Sequence, residues 1–322
     1  MSAQPIAISI IIVTWNGRQF TLECLDSLRF YLDDRKVEII VVDNASSDGT
    51  PELVDQDFPW VRLIRNSSNL GFAKANNIGI VASRGRYVCL VNSDVKVPQD
   101  CLRAMEAYME ANPAVGLIGP RMLCPGELIG RSYMRFPTVW RALCNALELH
   151  CVFRDSARLS GIMMPDFDNR QTAEVDVLNG WFLMARRRAV EEVGMLDEQF
   201  FMYGEDIDWS LRFHKAGWKR VYFAGASAFH YGGASSSVEP ARFYIEMKRA
   251  NLLLYRKHHG VLQSVAYFTI TGLHEVLRVA GNSLLKVVST SGRSEAASKV
   301  KRSLACIQWL VCSGWKAKGR MA

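Results

Sequence analysis

The chain has no cysteine pair at C-x-x-C spacing, although eight cysteines (24, 89, 101, 124, 144, 151, 306 and 312) are scattered through its 322 residues. That absence argues against a zinc site and a disulfide framework; free thiols in a reducing compartment fit better, with Cys89 inside an apolar run. No run of about 18 uncharged apolar residues occurs, so no transmembrane helix is expected. The opening M-S-A-Q-P lacks a charged n-region and leads directly into a strand, so no signal peptide is expected. No internal repeat or low-complexity tract stands out.

What is present is an ordinary globular mixture, 49% hydrophobic and 22% charged. The length allows one large α/β domain with an appendage, or two domains. The net charge of +7 is unevenly spread: residues 241–322 hold 14 Lys and Arg against 3 Asp and Glu, and the first 240 hold 25 against 29. A mildly acidic body thus carries a strongly basic tail, suited to an anionic membrane surface or a nucleic acid. No aromatic-basic readout motif supports the nucleic acid, and none is expected as a partner.

Strands and helices alternate through the first third. Ile8 to Thr14 is a β-branched strand ending in Trp15-Asn16-Gly17, followed by a helix to about Tyr31. Val37 to Val42 ends in Asp43-Asn44 and a loop, Ser46 to Thr50, that caps the next short helix. Val61 to Arg65 is a strand, Gly71 to Ala82 a helix, and Tyr87 to Val91 a strand ending in Asn92-Ser93-Asp94. Near-continuous apolar strands alternating with helices predict an α/β fold, with a mainly parallel sheet covered on both faces. Thr14, Asp43 and Asp94 each stand at the carboxyl end of a strand, the edge where such sheets bind ligands.

Leu102 to Ala111 reads as a helix and Val115 to Gly119 as a strand; from 121 to 173 the pattern weakens into an expected lid or insertion. Glu174 to Ala185 is a strand broken by Asn179-Gly180, and Val221 to His230 a strand pair followed by Gly232-Gly233. Beyond Pro240 three helices are expected, Arg242 to His258, Leu262 to Val288 and Ser303 to Trp315, forming a basic helical C-terminal extension over 241–322. Their tryptophans and basic residues fit either a lipid interface or a helical cap on the body.

Between these regions lies Gln199 to Gly217. Glu205, Asp206 and Asp208 follow Gly204 and open an amphipathic helix, with Ile207 and Leu211, then Trp209 and Phe213, at helical spacing. Gly217 is placed to end it. Acids in a first turn complement the helix dipole. Behind Phe200, Phe201 and Tyr203, however, they stand at the mouth of an apolar wall, where carboxylates act as general bases or hold a metal.

Taken in order, the run is strand-T-W-N, strand-D-N-A-S-S-D-G-T, G-F-A-K-A-N-N-I-G, strand-N-S-D, N-G-W-F-L-M-A-R-R, G-E-D-I-D-W and F-H-Y-G-G. It resembles the family 2 inverting glycosyltransferases with the GT-A fold, most closely their rhamnosyltransferase-like branch, over about Ile8 to Gly233. The resemblance implies a catalytic domain over 1–240 in which Thr14, Asn16, Asp43 and Asn44 bind the nucleoside. Lys74, Asn76, Asn92 and Ser93 would lie along the rest of the nucleotide-sugar. Asp94 matches the last acid of a D-x-D motif that coordinates Mg²⁺ or Mn²⁺ on the diphosphate; Asn92 replaces the first acid, leaving one fewer charged ligand. His230 matches a metal-binding histidine of some relatives, although a lone strand histidine is more often simply packed.

Asp206 matches the catalytic base, Glu205 would orient the acceptor, and Asp208 would cap the helix. Asn179, Gly180 and Trp181 would line the acceptor side, with the indole face on a sugar ring. One base and no nucleophile fits the lack of a Ser-His-Asp set. The branch favours dTDP-L-rhamnose as donor, while galactofuranosyl and other hexosyl transferases using UDP-sugars share most of these motifs. The acceptor would be a growing or lipid-linked glycan, with the protein peripheral on the cytoplasmic face of the cell membrane and a homo-oligomer allowed. A sugar-1-phosphate nucleotidyltransferase would need a Gly-rich basic first loop, which T-W-N-G-R-Q-F does not match. A non-catalytic nucleotide-sugar-binding partner would need neither Asp206 nor Asp94.

Overall fold

The computed structural model describes residues 6–31, 36–153, 156–165, 167–232, 240–288 and 293–315. The opening M-S-A-Q-P, Gly233 with the serines after it, and Lys316, Lys318 and Arg320 lie outside the described residues. Two compact units divide the chain: residues 1–136, 167–198 and 205–235 form the first, and 137–166, 199–204 and 236–322 the second.

The first unit is built on one sheet. Its main strands are β1 (Ile8–Thr14), β2 (Val37–Asp43), β3 (Arg62–Arg65), β4 (Tyr87–Asn92), β5 (Val115–Cys124), β6 (Phe182–Arg186) and β7 (Lys219–His230). They lie in the order β3-β2-β1-β4-β6-β5-β7, with the two-residue strand Val95–Lys96 beyond β7. The helices are α1 (Arg18–Ser27), α2 (Thr50–Asp57), α3 (Phe72–Ala82), α4 (Cys101–Ala111), α5 (Val139–Ala146, in the second unit), α6 (Arg187–Val193) and α7 (Glu205–Lys215). β1, β2 and β4 are central because they are apolar on both faces; Ile10, Ile11, Ile12, Val41, Val88 and Cys89 are all fully buried.

The structure departs from the sequence pattern in three places. Val221 to His230 is one strand, not two, because a register shift between Phe223 and Ser227 lets it bend while still pairing with β5. β5 runs on to Cys124 because that pairing continues through Phe229 and Leu123. The run from Glu174 divides into three pieces: Ala173–Glu174 pairs with β7, Val177–Leu178 with Tyr133–Met134, and β6 enters the centre of the sheet antiparallel to β4.

Two arginines at the end of β6 act as bolts. Arg186 donates from Nη2 to the Met109 carbonyl (2.6 Å), from Nε to Val115 (3.1 Å) and from Nη1 to the Tyr87 hydroxyl (3.2 Å). Arg187 donates to the Gly85 carbonyl and to Ser83. α7 ends as its sequence indicates. Gly217 takes φ +83°, Trp218 N–H reaches the Phe213 carbonyl (2.9 Å) and Gly217 N–H the His214 carbonyl (3.0 Å). Asp208 is fully buried one turn inside and accepts from Arg212 Nε at 2.8 Å.

The second unit contains α5 and three long helices, α8 (Pro240–His258), α9 (Gly260–Val288) and α10 (Arg293–Trp309). The last begins ten residues before Ser303, and a short π-helical turn, Leu310–Gly314, follows it. Ile245, Leu252, Tyr255, Tyr267, Cys306 and Trp309 make its core, with Tyr255 and Tyr267 stacked at 4.4 Å. A buried polar network crosses it. Glu275 accepts from the Tyr244 hydroxyl (2.6 Å) and faces Lys248 Nζ (3.5 Å), while Arg278 Nη1 donates to that hydroxyl (2.8 Å). Burial pushes the Lys248 ammonium down and the Tyr244 phenol up. Among the described residues no helix is long and apolar enough to cross a membrane.

Gly79 tests the packing of α3 on β1. A Cβ there would lie 2.4 Å from Ile11 Cγ2. Alanine favours a helix interior by about 1 kcal/mol over glycine, but overpacking a core costs about 1–3 kcal/mol. Gly79→Ala is expected to destabilise by ~1 kcal/mol, read as a lower urea midpoint; a midpoint at or above wild type would show that Ile11 yields freely.

Candidate active site

Parallel pairing in register sets Thr14 opposite Asp43 and Val13 opposite Asn92, so three strand ends share one edge. The loops beyond β1 and β2 brace each other. Asn16, at φ 49°, accepts Ser47 N–H at 2.8 Å and donates its own N–H to Ser46 Oγ at 2.9 Å. Arg18 N–H donates to Asp48 Oδ2 (2.9 Å), and Asp48 Oδ1 takes the Thr50 N–H (3.1 Å). Thr21 Oγ1 donates to the Gly17 carbonyl, so the Thr14 hydroxyl is the donor in its 2.7 Å bond to Thr21.

Several predicted binding residues have partners inside the protein. Asn44 accepts from Asn66 Nδ2 (2.9 Å) and donates to the Gly71 carbonyl (3.1 Å), tying the loop after β2 to the start of α3. Asn76 donates to the Phe72 carbonyl one turn back (3.0 Å). Lys74 Nζ lies 3.9 Å from Glu198 Oε2, and the neighbouring Asn77, not anticipated from sequence, holds Leu196 and Glu198. Asp43 differs. It is buried, one oxygen accepts Ser46 N–H at 3.0 Å, and Oδ1 has no partner.

The antiparallel course of β6 brings its beginning to the end of β4, where Asn92 N–H donates to the Trp181 carbonyl at 2.9 Å. Buried Ser93 follows, then Asp94, whose Oδ1 is 3.1 Å from His230 Nε2. The His230 ring stacks on Trp181 at 5.3 Å. Trp181 therefore turns its face to a histidine, and the open stacking platform expected from the sequence is not there. Two residues before β6, Gly180 N–H donates to Asp206 Oδ2 at 2.9 Å, and Ile207 N–H to Oδ1 at 2.8 Å. Burial raises the Asp206 carboxyl above the usual range, and these two N–H groups pull it partly back. Glu205 is buried beside it, its Oε1 3.7 Å from where a Gly180 Cβ would sit. Tyr203 and Gly204 enter this turn at φ 67° and 79°. Such a tyrosine stores about 1–3 kcal/mol of strain, as backbones beside functional groups often do.

Burying a polar atom unpaired costs about 1–3 kcal/mol, and four such atoms lie here: Asp43 Oδ1, Asn92 Oδ1, Asn179 Oδ1 and Trp181 Nε1. These atoms leave hydrogen-bonding capacity free for a polar ligand at this edge. Asp94 and His230 could give a divalent cation one oxygen and one nitrogen, and no group of three or more His, Cys, Asp or Glu among the described residues could form a fuller cage. Two protein donors fit a cation that arrives on a diphosphate, with phosphate oxygens and water completing its shell. The sequence reading missed what steadies His230. The adjacent Tyr231 donates its hydroxyl to Glu23 Oε2 (2.7 Å), which also binds Lys96 Nζ (2.9 Å). Lys96 and Tyr231 hold the Glu23 carboxyl down at about 2.

Residues 9–194 match the family model described as Glycosyl transferase family 2. The chain is similar to N-acetylglucosaminyl-diphospho-decaprenol L-rhamnosyltransferase of Mycobacterium tuberculosis, 28% identical over 251 residues, 74% of this chain and 81% of that one. It is also similar to dTDP-rhamnosyl transferase RfbF of Shigella flexneri, 24% identical over 282 residues, 84% of this chain and 87% of that one. Among solved structures it is similar to mannosyltransferase PcManGT of Pyrobaculum calidifontis in complex with GDP-Man and Mn²⁺ (TM-score 0.54, 16% identity, 97% of this chain, 90% of that chain). S. aureus TarS 1–349 in complex with UDP-GlcNAc has a similar fold (TM-score 0.54, 14% identity, 97% and 92%). With the family match running from β1 past α6, over more than half of the chain and across the strand ends that frame this edge, the chain belongs to glycosyl transferase family 2 and has the GT-A fold.

Proposed function

We propose that the chain transfers L-rhamnose from dTDP-L-rhamnose to a hydroxyl of a lipid-linked glycan, inverting the anomeric carbon, with Asp206 as general base. The observation that carries this is the Asp206 carboxylate, fixed by two backbone N–H groups on the edge where Asp94, His230 and the unpaired polar atoms gather. Rhamnose as the sugar rests on the two rhamnosyltransferases that the chain resembles over most of both lengths.

Each residue then has a task. Asp206, a stronger base for being buried, takes the acceptor proton as the hydroxyl oxygen attacks and the nucleoside diphosphate leaves. Gly180 lacks a Cβ and so lets its N–H hold that carboxylate closely. Glu205 orients the acceptor, and Asn179 Oδ1 and Trp181 Nε1 offer it hydrogen bonds. Asp43 Oδ1 accepts from the nucleoside, inside a frame made by Thr14, Asn16 and Asn44. Lys74, Asn76, Asn92 and Ser93 lie along the sugar diphosphate. Asp94 and His230 would hold Mg²⁺ or Mn²⁺, which when bound neutralises charge on the departing diphosphate. In this reading residues 1–240 are catalytic. The basic extension over 241–322 keeps the protein on the cytoplasmic face of an anionic membrane, where a lipid-linked acceptor lies.

A donor panel tests the sugar. dTDP release from dTDP-rhamnose, dependent on acceptor and abolished by chelator, is expected; turnover of UDP-hexoses instead would retain the base and discard the rhamnosyl assignment. Asp206→Asn should lower kcat by about 10²–10⁴-fold while calorimetric donor binding persists. In wild type, kcat/KM should fall toward acid through an apparent pKa above the ordinary aspartate value of about 3.9, because a base must be deprotonated and this one is raised. Retained turnover in Asp206→Asn would refute the assignment. Asp94→Asn combined with His230→Ala should raise the cation concentration for half-maximal rate about ten-fold or more; an unchanged cation requirement would place the metal elsewhere.

A further inference from the structure

Helix α9 is inside out. Its buried side carries Ser264, Thr271 and Glu275. The two hydroxyls donate to carbonyls one turn back, Gly260 at 2.7 Å and Tyr267 at 2.9 Å, and the carboxylate takes the Tyr244 hydroxyl. The outer side is apolar. Leu262, Leu273, Val276, Leu277 and Leu284 are exposed, from 46% at Leu277 to 86% at Leu262. At about 3.6 residues per turn these positions fall on one stripe, roughly 33 Å long. The titratable side chains along that length are turned inward: His274 donates to the Ala146 carbonyl (2.9 Å), Glu275 is buried and Arg278 binds Tyr244.

Charge decides what covers the stripe. Of the three acids in 241–322, Glu246 and Glu275 are buried, and the exposed Glu295 is paired with Lys299 at 2.7 Å. Basic residues bracket the stripe, with Lys257 exposed before α9 and Arg293 exposed at the beginning of α10. Two copies paired about a two-fold axis through α9 would set one basic end against the other, and like charges disfavour that. An anionic bilayer satisfies both features. We propose that α9 docks along an anionic lipid surface, its leucine stripe at the boundary of headgroups and acyl chains and Lys257 and Arg293 on lipid phosphates. At 29 residues without a membrane-crossing window, it lies along the bilayer and not through it. This deepens the proposed function, and rests on it for the lipid-linked acceptor that makes docking useful.

The test is flotation of the full chain with vesicles of equal parts phosphatidylglycerol and phosphatidylcholine, without sugar nucleotide, so that its failure leaves the rhamnosyl assignment to its own assay. Wild type is expected to float and to be released at ~0.5 M NaCl. The combined variant Leu262→Gln, Leu273→Gln, Leu284→Gln, changed only at exposed positions and checked for wild-type melting, should bind about ten-fold more weakly. Wild type that stays down, or a variant that floats equally, overturns the proposal. So does a lipid-free wild-type dimer that the same substitutions make monomeric, since the stripe would then be covered by a second copy.

Discussion

The antiparallel entry of Phe182–Arg186 into an otherwise largely parallel sheet is the constraint on which the candidate site depends. Parallel strands collect their carboxyl ends at one edge and send their amino ends to the other. A strand running the opposite way delivers its beginning to that same edge. Residues 179–181 therefore arrive beside Asn92, Ser93 and Asp94 without any long loop, joined by the bond from Asn92 N–H to the Trp181 carbonyl. Arg186 secures the far end of the same strand through three acceptors on three elements. A one-residue slip would turn Trp181 away from His230 and move the Gly180 N–H from Asp206, so register and chemistry are one requirement.

Stability is given up at this edge in several places. Buried polar atoms stand unpaired on Asp43, Asn92, Asn179 and Trp181, a tyrosine holds a left-handed backbone just before Glu205, and Asp206 is a carboxylate whose burial disfavours its charge. Three other acids of the first unit are matched: Asp208 has Arg212, Asp48 takes Arg18 and Thr50, and Glu38 is bonded by Ser9 and Arg84. The contrast separates acids that hold the fold from acids left with capacity for a ligand.

That contrast was only half legible in the sequence. Thr14, Asp43 and Asp94 could be placed at strand ends because apolar runs and turn residues are local signals, and Gly217 could end α7 for the same reason. The different duties of Asp206 and Asp208 could not be separated that way. Two positions apart on one helix, they point to different surroundings, and only the fold reveals that one meets Gly180 and the other Arg212. Tyr231, Glu23 and Lys96 escaped notice because they are brought together from three distant parts of the chain. The bulge between Phe223 and Ser227 was read as a break because a locally irregular strand and two short strands share a pattern. Asn44 and Asn76 carried a motif's appearance, yet their amides brace the protein's own backbone.

The C-terminal helices show the same limit from the opposite direction. A count of charges makes residues 241–322 a basic segment, but the count treats Glu275, Lys248 and Arg278 as surface when they form the interior of the bundle. Removing the buried groups takes out bases as well as acids, and of the three acids in 241–322 it leaves only Glu295 on the outer face, paired with Lys299. The periodicity of α9 misleads as well: a helix with one apolar and one polar face is ordinarily taken to bury the apolar one. Here Tyr244 and Lys248 of α8 are already polar, so the face of α9 that satisfies them must be polar too, and its leucines are left outside. Burying Glu275 with its partners is what turns the leucine stripe toward the surroundings.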